Sequence, residues 1–383
     1  MTGAVSPPLP EPVRAEPVGS LLRPGYLLEA RRRRERGEMD APAFKRVEDR
    51  AVREAVRVQE ETGLPVVTDG EMRRLSFQSQ MTAAVDGFGD PGLEAFTWGR
   101  WRGDGETGDR TTARPREMGL TGKLRRRRSL SGEEFVYLRS RTQRLPKATL
   151  PSPGLFANFW SPDDGGPYPD LADFLDDAAG VLEAEARRLA ELGCRYVQID
   201  APHYPLLVEE ETRAFYQSPG WGRERWIRES VSLENRVMEA APDVTFALHM
   251  CRGNQASRWL ARGGYGPLTP VFRRTRARRL LLEYDDERSG GFGPLEAVPE
   301  DRVVVLGLVT TKRGEPEDPG RLEQRVMEAE ETVPRGRLAV STQCGFGTSV
   351  LGNRLTAEEQ RRKLSAVVRL ARHIWGGAGG TDL

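Results

Sequence analysis

The feature of this chain that most constrains its fold is an alternation: short apolar runs closed by polar residues take turns with longer amphipathic stretches. The runs are AEPVGSLL (15–22), LPVVTDGE (64–71), TLPSPGLFANFW (149–160), RYVQIDAPHY (195–204), VTFALHMC (244–251), RLLLEYDD (279–286), RVVVLGLVTT (302–311) and RLAVSTQCG (337–345). Most are continuous rather than alternating, as strands buried on both faces of a parallel sheet should be. Between them, FKRVEDRAVREAVRVQEETG (44–63) and DLADFLDDAAGVLEAEARRLAELG (170–193) carry apolar residues at helical spacing and end at glycine, a common helix stop. DPGRLEQRVMEAEETV (318–333) is a third such stretch. Strands and helices in this order predict an α/β fold, a (β/α)8 TIM barrel in preference to an open doubly wound sheet.

The expected layout is a flexible, proline-rich arm over residues 1–14 followed by one catalytic barrel over 15–383. One segment breaks the alternation. Residues 82–145, with GFGDPG, WGRWRGDGETGDRTTARP and GLTGKLRRRRSLSGEEFVYLRSRTQ, read as loops and a hairpin inserted between the second and third strands. Such an insertion is expected to cover the barrel mouth or to form a contact in a homo-oligomer.

Composition narrows the partners. Fifty-eight basic residues against 57 acidic ones leave a formal charge of +1, without the polycationic signature that nucleic-acid binding needs. The arginine runs 31–34 and 125–128 read as solvated faces. Nothing approaches the roughly 18 to 20 apolar residues of a membrane span, and the N-terminus lacks the apolar stretch of a signal peptide. Cys194, Cys251 and Cys344 are too few and too scattered for a disulfide framework, which points to a reducing compartment, the cytoplasm by default. A small polar substrate suits this balance.

In a barrel of this kind the C-terminal strand ends form the active-site face, so the polar residues that close the runs are read as a set. His249 and Cys251 lie two apart on the fifth run, and a strand's period of two puts them on one side. Alone, a His-x-Cys pair is more often core or loop sequence. Glu283 closes the sixth run, where an unpaired carboxylate would be costly, and Cys344 closes the eighth. One imidazole, two thiolates and a carboxylate converging at one rim make a tetrahedral zinc site. Cys194 follows Gly193 at the start of a strand, so it belongs to the opposite face. Thiolate-rich zinc is poorly suited to generating hydroxide and well suited to holding a substrate thiol as thiolate.

From VGSLLRP (18–24) to STQCGFGTSVLGNR (341–354) the strand ends resemble, in order, those of the catalytic barrel of cobalamin-independent methionine synthase and its single-barrel relatives. The resemblance implies that His249, Cys251, Glu283 and Cys344 are zinc ligands. VGS resembles the family's Ile-Gly-Ser and TDGEMRR (68–74) its His-Gly-Glu stretch, which implies that Ser20 and Glu71 hold the amino acid group of homocysteine. Asp200 of QIDAPHY resembles the aspartate of the family's QIDEP, which pairs with the substrate ammonium. Three departures stand out. Where the family carries a proton-donating histidine in a VHSP context, this chain has Val309, Thr310, Thr311 and Lys312; Ala201 replaces the glutamate of DEP; and the second barrel that helps the full-length enzyme bind folate has no counterpart.

The expected activity is therefore zinc-dependent alkylation of a thiol, with methyl transfer to homocysteine favoured and methylfolate or methylcobalamin as donor. His203, near the mouth, and Thr310 are the candidates for the catalytic work of the missing histidine, and Trp160 is a candidate platform for a flat donor. A thiol acting on another electrophile, as in epoxyalkane:coenzyme M transferases, is the alternative, with Arg73, Arg74 and Lys312 to bind a sulfonate. A non-catalytic zinc-binding barrel is the alternative of a different class, since structural zinc sites are closed by four protein ligands.

Overall fold

The computed structural model describes residue 9 and residues 12–89, 92–115, 118–161, 166–217 and 220–379. Most of the expected N-terminal arm lies outside the described residues. At its end Val13 is already buried, and the Arg14 carbonyl accepts a hydrogen bond from Val340 N at 2.9 Å.

Among the described residues eight parallel strands form the barrel wall: β1 (Ala15–Glu16), β2 (Val66–Val67), β3 (Ala148–Pro151), β4 (Tyr196–Asp200), β5 (Thr245–Met250), β6 (Arg279–Glu283), β7 (Val303–Val309) and β8 (Leu338–Thr342). Seven of them make one curled sheet in the order β1-β8-β7-β6-β5-β4-β3, so the first strand pairs with the last, as ring closure requires. β2 joins through the two-residue strand Leu145–Pro146, which runs straight into β3. The Thr68 hydroxyl donates to Gly19 O at 2.6 Å and Leu21 N to Gly70 O at 3.0 Å, tying the loop after β1 to the loop after β2. The fold is the expected (β/α)8 barrel.

The third apolar run does not continue as a strand. β3 stops at Pro151, and Pro153–Phe159 form a 3-10 helix, because proline donates no ladder hydrogen bond. The helical patterns do appear, as Ala41–Glu61, Leu171–Glu191 and Pro319–Glu330. Asp40, Asp170 and Asp318 each cap one with a side-chain oxygen on a first-turn N–H, a contribution of about 1 kcal/mol apiece. No helix among the described residues is long and apolar enough to cross a membrane.

Two cores result. One lies between the sheet and its surrounding helices; the other fills the barrel, where Tyr196, Ala247, Leu281, Val305 and Ala339 pack with Val66. This inner layer fixes what points where. Side chains two residues further along each strand face the same way, so Asp200 (via Gln198) follows Tyr196, His249 follows Ala247 and Glu283 follows Leu281 on the interior side. The His249 level of β5 pairs with Asp200 on β4 and Leu281 on β6.

Below the rim, inside the barrel, sits a buried charge cluster. Glu16 accepts from Arg279 at 2.8 and 2.9 Å, from Lys147 Nζ at 3.0 Å and from the Tyr196 hydroxyl at 2.7 Å. The paired cations hold its carboxyl at about 2 against the upward push of burial. Lys147 also donates to Gln198, whose amide donates to Asp200 at 2.7 Å. A hydrogen-bonded line thus runs from floor to rim.

The inserted segment forms two antiparallel hairpins, Val85–Phe88 with Leu120–Arg126 and Gly99–Trp101 with Arg110–Thr112, flanked by helices Ser79–Ala84 and Gly132–Arg139. Its arginine run is largely paired, Arg125 and Arg127 with Asp86 and Arg126 with Glu185.

Candidate metal centre and substrate cavity

His249 closes β5 facing inward, and Cys251 follows one residue past the strand end. Cys344 comes two residues after β8. One ligand atom from each of the three lies within 4.8 Å of the others, and all three residues are buried. His249 Nδ1 is 3.3 Å from the Leu281 carbonyl. A carbonyl only accepts, so this contact suits the tautomer with the proton on Nδ1 and the lone pair on Nε2, the arrangement usual for a metal-ligating histidine. Nε2 is buried without a hydrogen-bond partner. An orphaned imidazole nitrogen beside two free thiols is the donor set zinc takes.

The electrostatics of the three agree. The Cys344 thiol beside it holds Cys251 well below the usual thiol range, and His249 adds to this against the opposing effect of burial. Cys344 is driven well above that range by the Cys251 thiolate and by burial. Burial pushes His249 down, but Cys251 and Asp200 outweigh it and the net shift is upward.

Glu283 is not gathered with these three. Its carboxylate accepts from Arg252 N at 2.6 Å and from Lys312 Nζ at 3.2 Å, with Arg288 at 3.9 Å. Lys312 in turn lies 2.8 Å from Asp285.

The thiols open into a cavity of about 280 Å³ whose lining includes Ser20, Glu71, Asp200, His249, Cys251 and Cys344. Asp200 has its carboxyl pushed up to about 7, chiefly by burial, with His249 opposing. Glu71 sits at φ 55°, a region costly for a residue with a Cβ. Its N–H donates to Asp69 at 2.9 Å and its Oε1 accepts from Thr149 at 3.0 Å, while Oε2 is buried without a partner. Gly345 packs so closely on Ser20 that a Cβ there would overlap the Ser20 hydroxyl.

Three residues expected at the site are elsewhere. His203 begins the short helix His203–Leu206, which turns its ring away from the cavity onto Tyr204, at 4.3 Å between ring centroids, and over Gly154. Neither ring nitrogen has a hydrogen-bond partner, and burial lowers its pKa to about 3. Thr310 does not line the cavity; its backbone N–H donates to Glu317 and its hydroxyl accepts from Lys312 N. Trp160 donates its indole N–H to Tyr168 O at 2.8 Å and also lies off the lining. The strand that was to present it ends nine residues earlier.

Other aromatic residues line the cavity instead. Phe96, Trp98 and Trp101 come from the insertion, and Phe215 and Tyr216 from helix Glu210–Gln217. Trp98 and Phe215 meet edge to face at 5.1 Å. At the rim Arg100 and Glu211 pair at 3.2 Å. The tryptophan-rich WGRW at 98–101 is the one sequence signal that marked this wall.

No protein-family profile matches the chain. It is 34% identical over 368 residues to YxjH of Bacillus subtilis, an uncharacterized protein, covering 95% of both chains. It is 30% identical over 205 residues to a methionine synthase of Pyrococcus abyssi, covering 51% of this chain and 56% of that one. Its fold matches a Listeria monocytogenes protein proposed to be a vitamin-B12-independent methionine synthase, with a TM-score of 0.71 and 28% identity, covering 95% of this chain and 98% of the other.

Proposed function

The chain belongs to the cobalamin-independent methionine synthase family, and from that premise we propose that it is a zinc-dependent methyltransferase acting on the sulfur of a small amino acid thiol, homocysteine. One observation carries this reading: the buried trio His249, Cys251 and Cys344, with an orphaned imidazole nitrogen, opens into the same cavity as Glu71 and Asp200. Bound by these three, zinc would supply the acidity that keeps a thiol ionised near neutral pH.

The chain's own residues do the rest. The free Oε2 of Glu71 and the carboxylate of Asp200 receive the substrate ammonium, since charge-assisted hydrogen bonds suit a cation in a buried site. Ser20 takes the substrate carboxylate through its hydroxyl. Held by that end, the substrate directs its sulfur at the two cysteines. The methyl carrier packs against the aromatic residues of the cavity lining. Sulfur forms a bond to the methyl carbon as the bond from that carbon to its carrier breaks; the carrier leaves with the electron pair, and a folate carrier takes up one proton from solvent, equal to the one that the thiol released on ionisation. Fixing the two reactants in line supplies much of the rate.

The sulfonate-binding alternative is less well supported. Arg73 is engaged by Asp49 at 2.6 Å, Arg74 by Glu134 at 2.7 Å and Lys312 by Asp285 at 2.8 Å, and none of the three lines the cavity. The test is metal analysis followed by a mass-spectrometric product screen, offering homocysteine and coenzyme M with methylfolate, methylcobalamin and an epoxide. S-methylated homocysteine from zinc-loaded protein is the expected product. Consumption of coenzyme M alone would reject the assignment.

A further inference from the structure

A buried charge cluster lies near the His249, Cys251 and Cys344 trio. Lys312 is buried at 7% exposure and faces two carboxylates at once, Glu283 at 3.2 Å and Asp285 at 2.8 Å. Glu283 is fully buried, and its other oxygen is held by the Arg252 N–H at 2.6 Å. Arg252 is itself fixed, with its guanidinium on Gly263 O and the Tyr265 hydroxyl. Asp285 has a second oxygen without a partner, and Arg288 stands 3.9 Å from Glu283.

This arrangement has an asymmetry. If Glu283 turns toward the cysteines, Lys312 keeps a carboxylate partner in Asp285, so no buried charge is stranded. If Asp285 were absent, the same movement would leave Lys312 unpaired, which is strongly unfavourable. A cation shared between two acids makes the departure of one of them inexpensive, and it also gives that acid somewhere to return.

From this the geometry points to Lys312 as a positioning residue that, with Asp285, would compete with a bound zinc ion for Glu283 and so set how readily Glu283 could reach that ion or yield to a substrate thiol. The inference rests on the proposed thiol chemistry for its last step only. Its first step, the contest between Lys312 and the metal for one carboxylate, needs no substrate.

Two substitutions act in opposite directions. Lys312→Met removes the competitor, so Glu283 ligates more firmly: zinc affinity, measured by chelator competition, rises by about tenfold, the scale of a lost charge-assisted hydrogen bond. Asp285→Asn leaves Lys312 with Glu283 as its one carboxylate at hydrogen-bonding distance, and zinc affinity falls by a similar factor. Lys312→Arg retains the charge and stays near wild type. In the cobalt-loaded proteins, visible absorption on adding homocysteine reports the second step: sulfur replaces oxygen less readily in Lys312→Met and more readily in Asp285→Asn. Equal zinc affinity in wild type and both variants, or shifts of the same sign, overturns the inference. Should Lys312→Met fail to fold, the Asp285→Asn shift still decides it. Should no thiol perturb the cobalt spectrum of any variant, the proposed function fails while the opposed zinc affinities still stand or fall by themselves.

Discussion

The assignment of Asp200 to the substrate ammonium can be tested by pH alone. Burial raises its carboxyl to about 7, and an ammonium pairs favourably only with the ionised form. The sign follows: ammonium-dependent affinity rises with pH up to about 7 and levels off above it. With that pKa, roughly a tenth of Asp200 is ionised at pH 6 and roughly nine-tenths at pH 8, close to a tenfold difference. The thiol also titrates, so homocysteine by itself is a poor probe. Dividing its dissociation constant by that of 4-mercaptobutyrate, which has the same thiol and carboxylate and lacks the amino group, cancels the shared terms. Calorimetry on the metal-free protein should show homocysteine gaining about tenfold over the desamino compound between pH 6 and pH 8. In Asp200→Asn the selectivity should become flat with pH and lower by about ten- to a hundredfold at pH 8, for a loss of 1.5–3 kcal/mol. If the desamino compound shows the same pH dependence, or Asp200→Asn retains the selectivity, Asp200 does not hold the ammonium.

Three further outcomes follow from the geometry. Cys344→Ser should abolish tight zinc binding, read as metal per protein, with circular dichroism unchanged because the residue lies beyond β8; full retention of zinc would remove Cys344 from the ligand set. Trp98→Ala should raise the KM for the methyl donor by about tenfold, since it strips one face of the aromatic wall, while homocysteine affinity and zinc content hold steady; an equal loss of homocysteine affinity would assign that wall to the thiol substrate. Glu234, which accepts from Ser152 at 2.6 Å and Tyr204 at 2.8 Å, has its carboxyl raised to about 8 by burial. Between about 4.5 and 8 the folded chain keeps a proton that the unfolded chain releases, so stability falls as pH rises through that window, by at most about 5 kcal/mol. Urea unfolding of Glu234→Gln should show a shallower fall than wild type, and identical slopes would place that proton elsewhere.

The alternation of runs was enough to read the barrel, because a strand buried on both faces and a helix buried on one leave different periods in the sequence. The same period of two placed His249 and Cys251 on the interior side from Ala247 onward. Residues just past the strands were harder to read. His203 follows Asp200 by three positions, yet a tight helical turn sends its ring into space that Gly154 leaves free. Trp160 was read as the end of a strand that two prolines cut short. Glu283 points the right way, but its ion pair is with Lys312, 29 positions later, and no local pattern reports such a partner. The aromatic wall was the least legible part: Trp98 and Phe215 meet only through tertiary packing, and the insertion follows neither barrel period.

That wall divides the labour of the molecule. The residues that gather the thiols lie at or just past strand ends, fixed to one another by the ring, whereas part of the cavity lining is borne by residues 95–101 of the inserted segment. Exchange of that segment between relatives would alter which donor reaches the sulfur and leave His249, Cys251 and Cys344 where they are. The barrel would then behave as a constant part and the insertion as a replaceable one, so a graft of residues 82–144, which spares the Leu145–Pro146 strand paired with β2, tests for new alkylation partners.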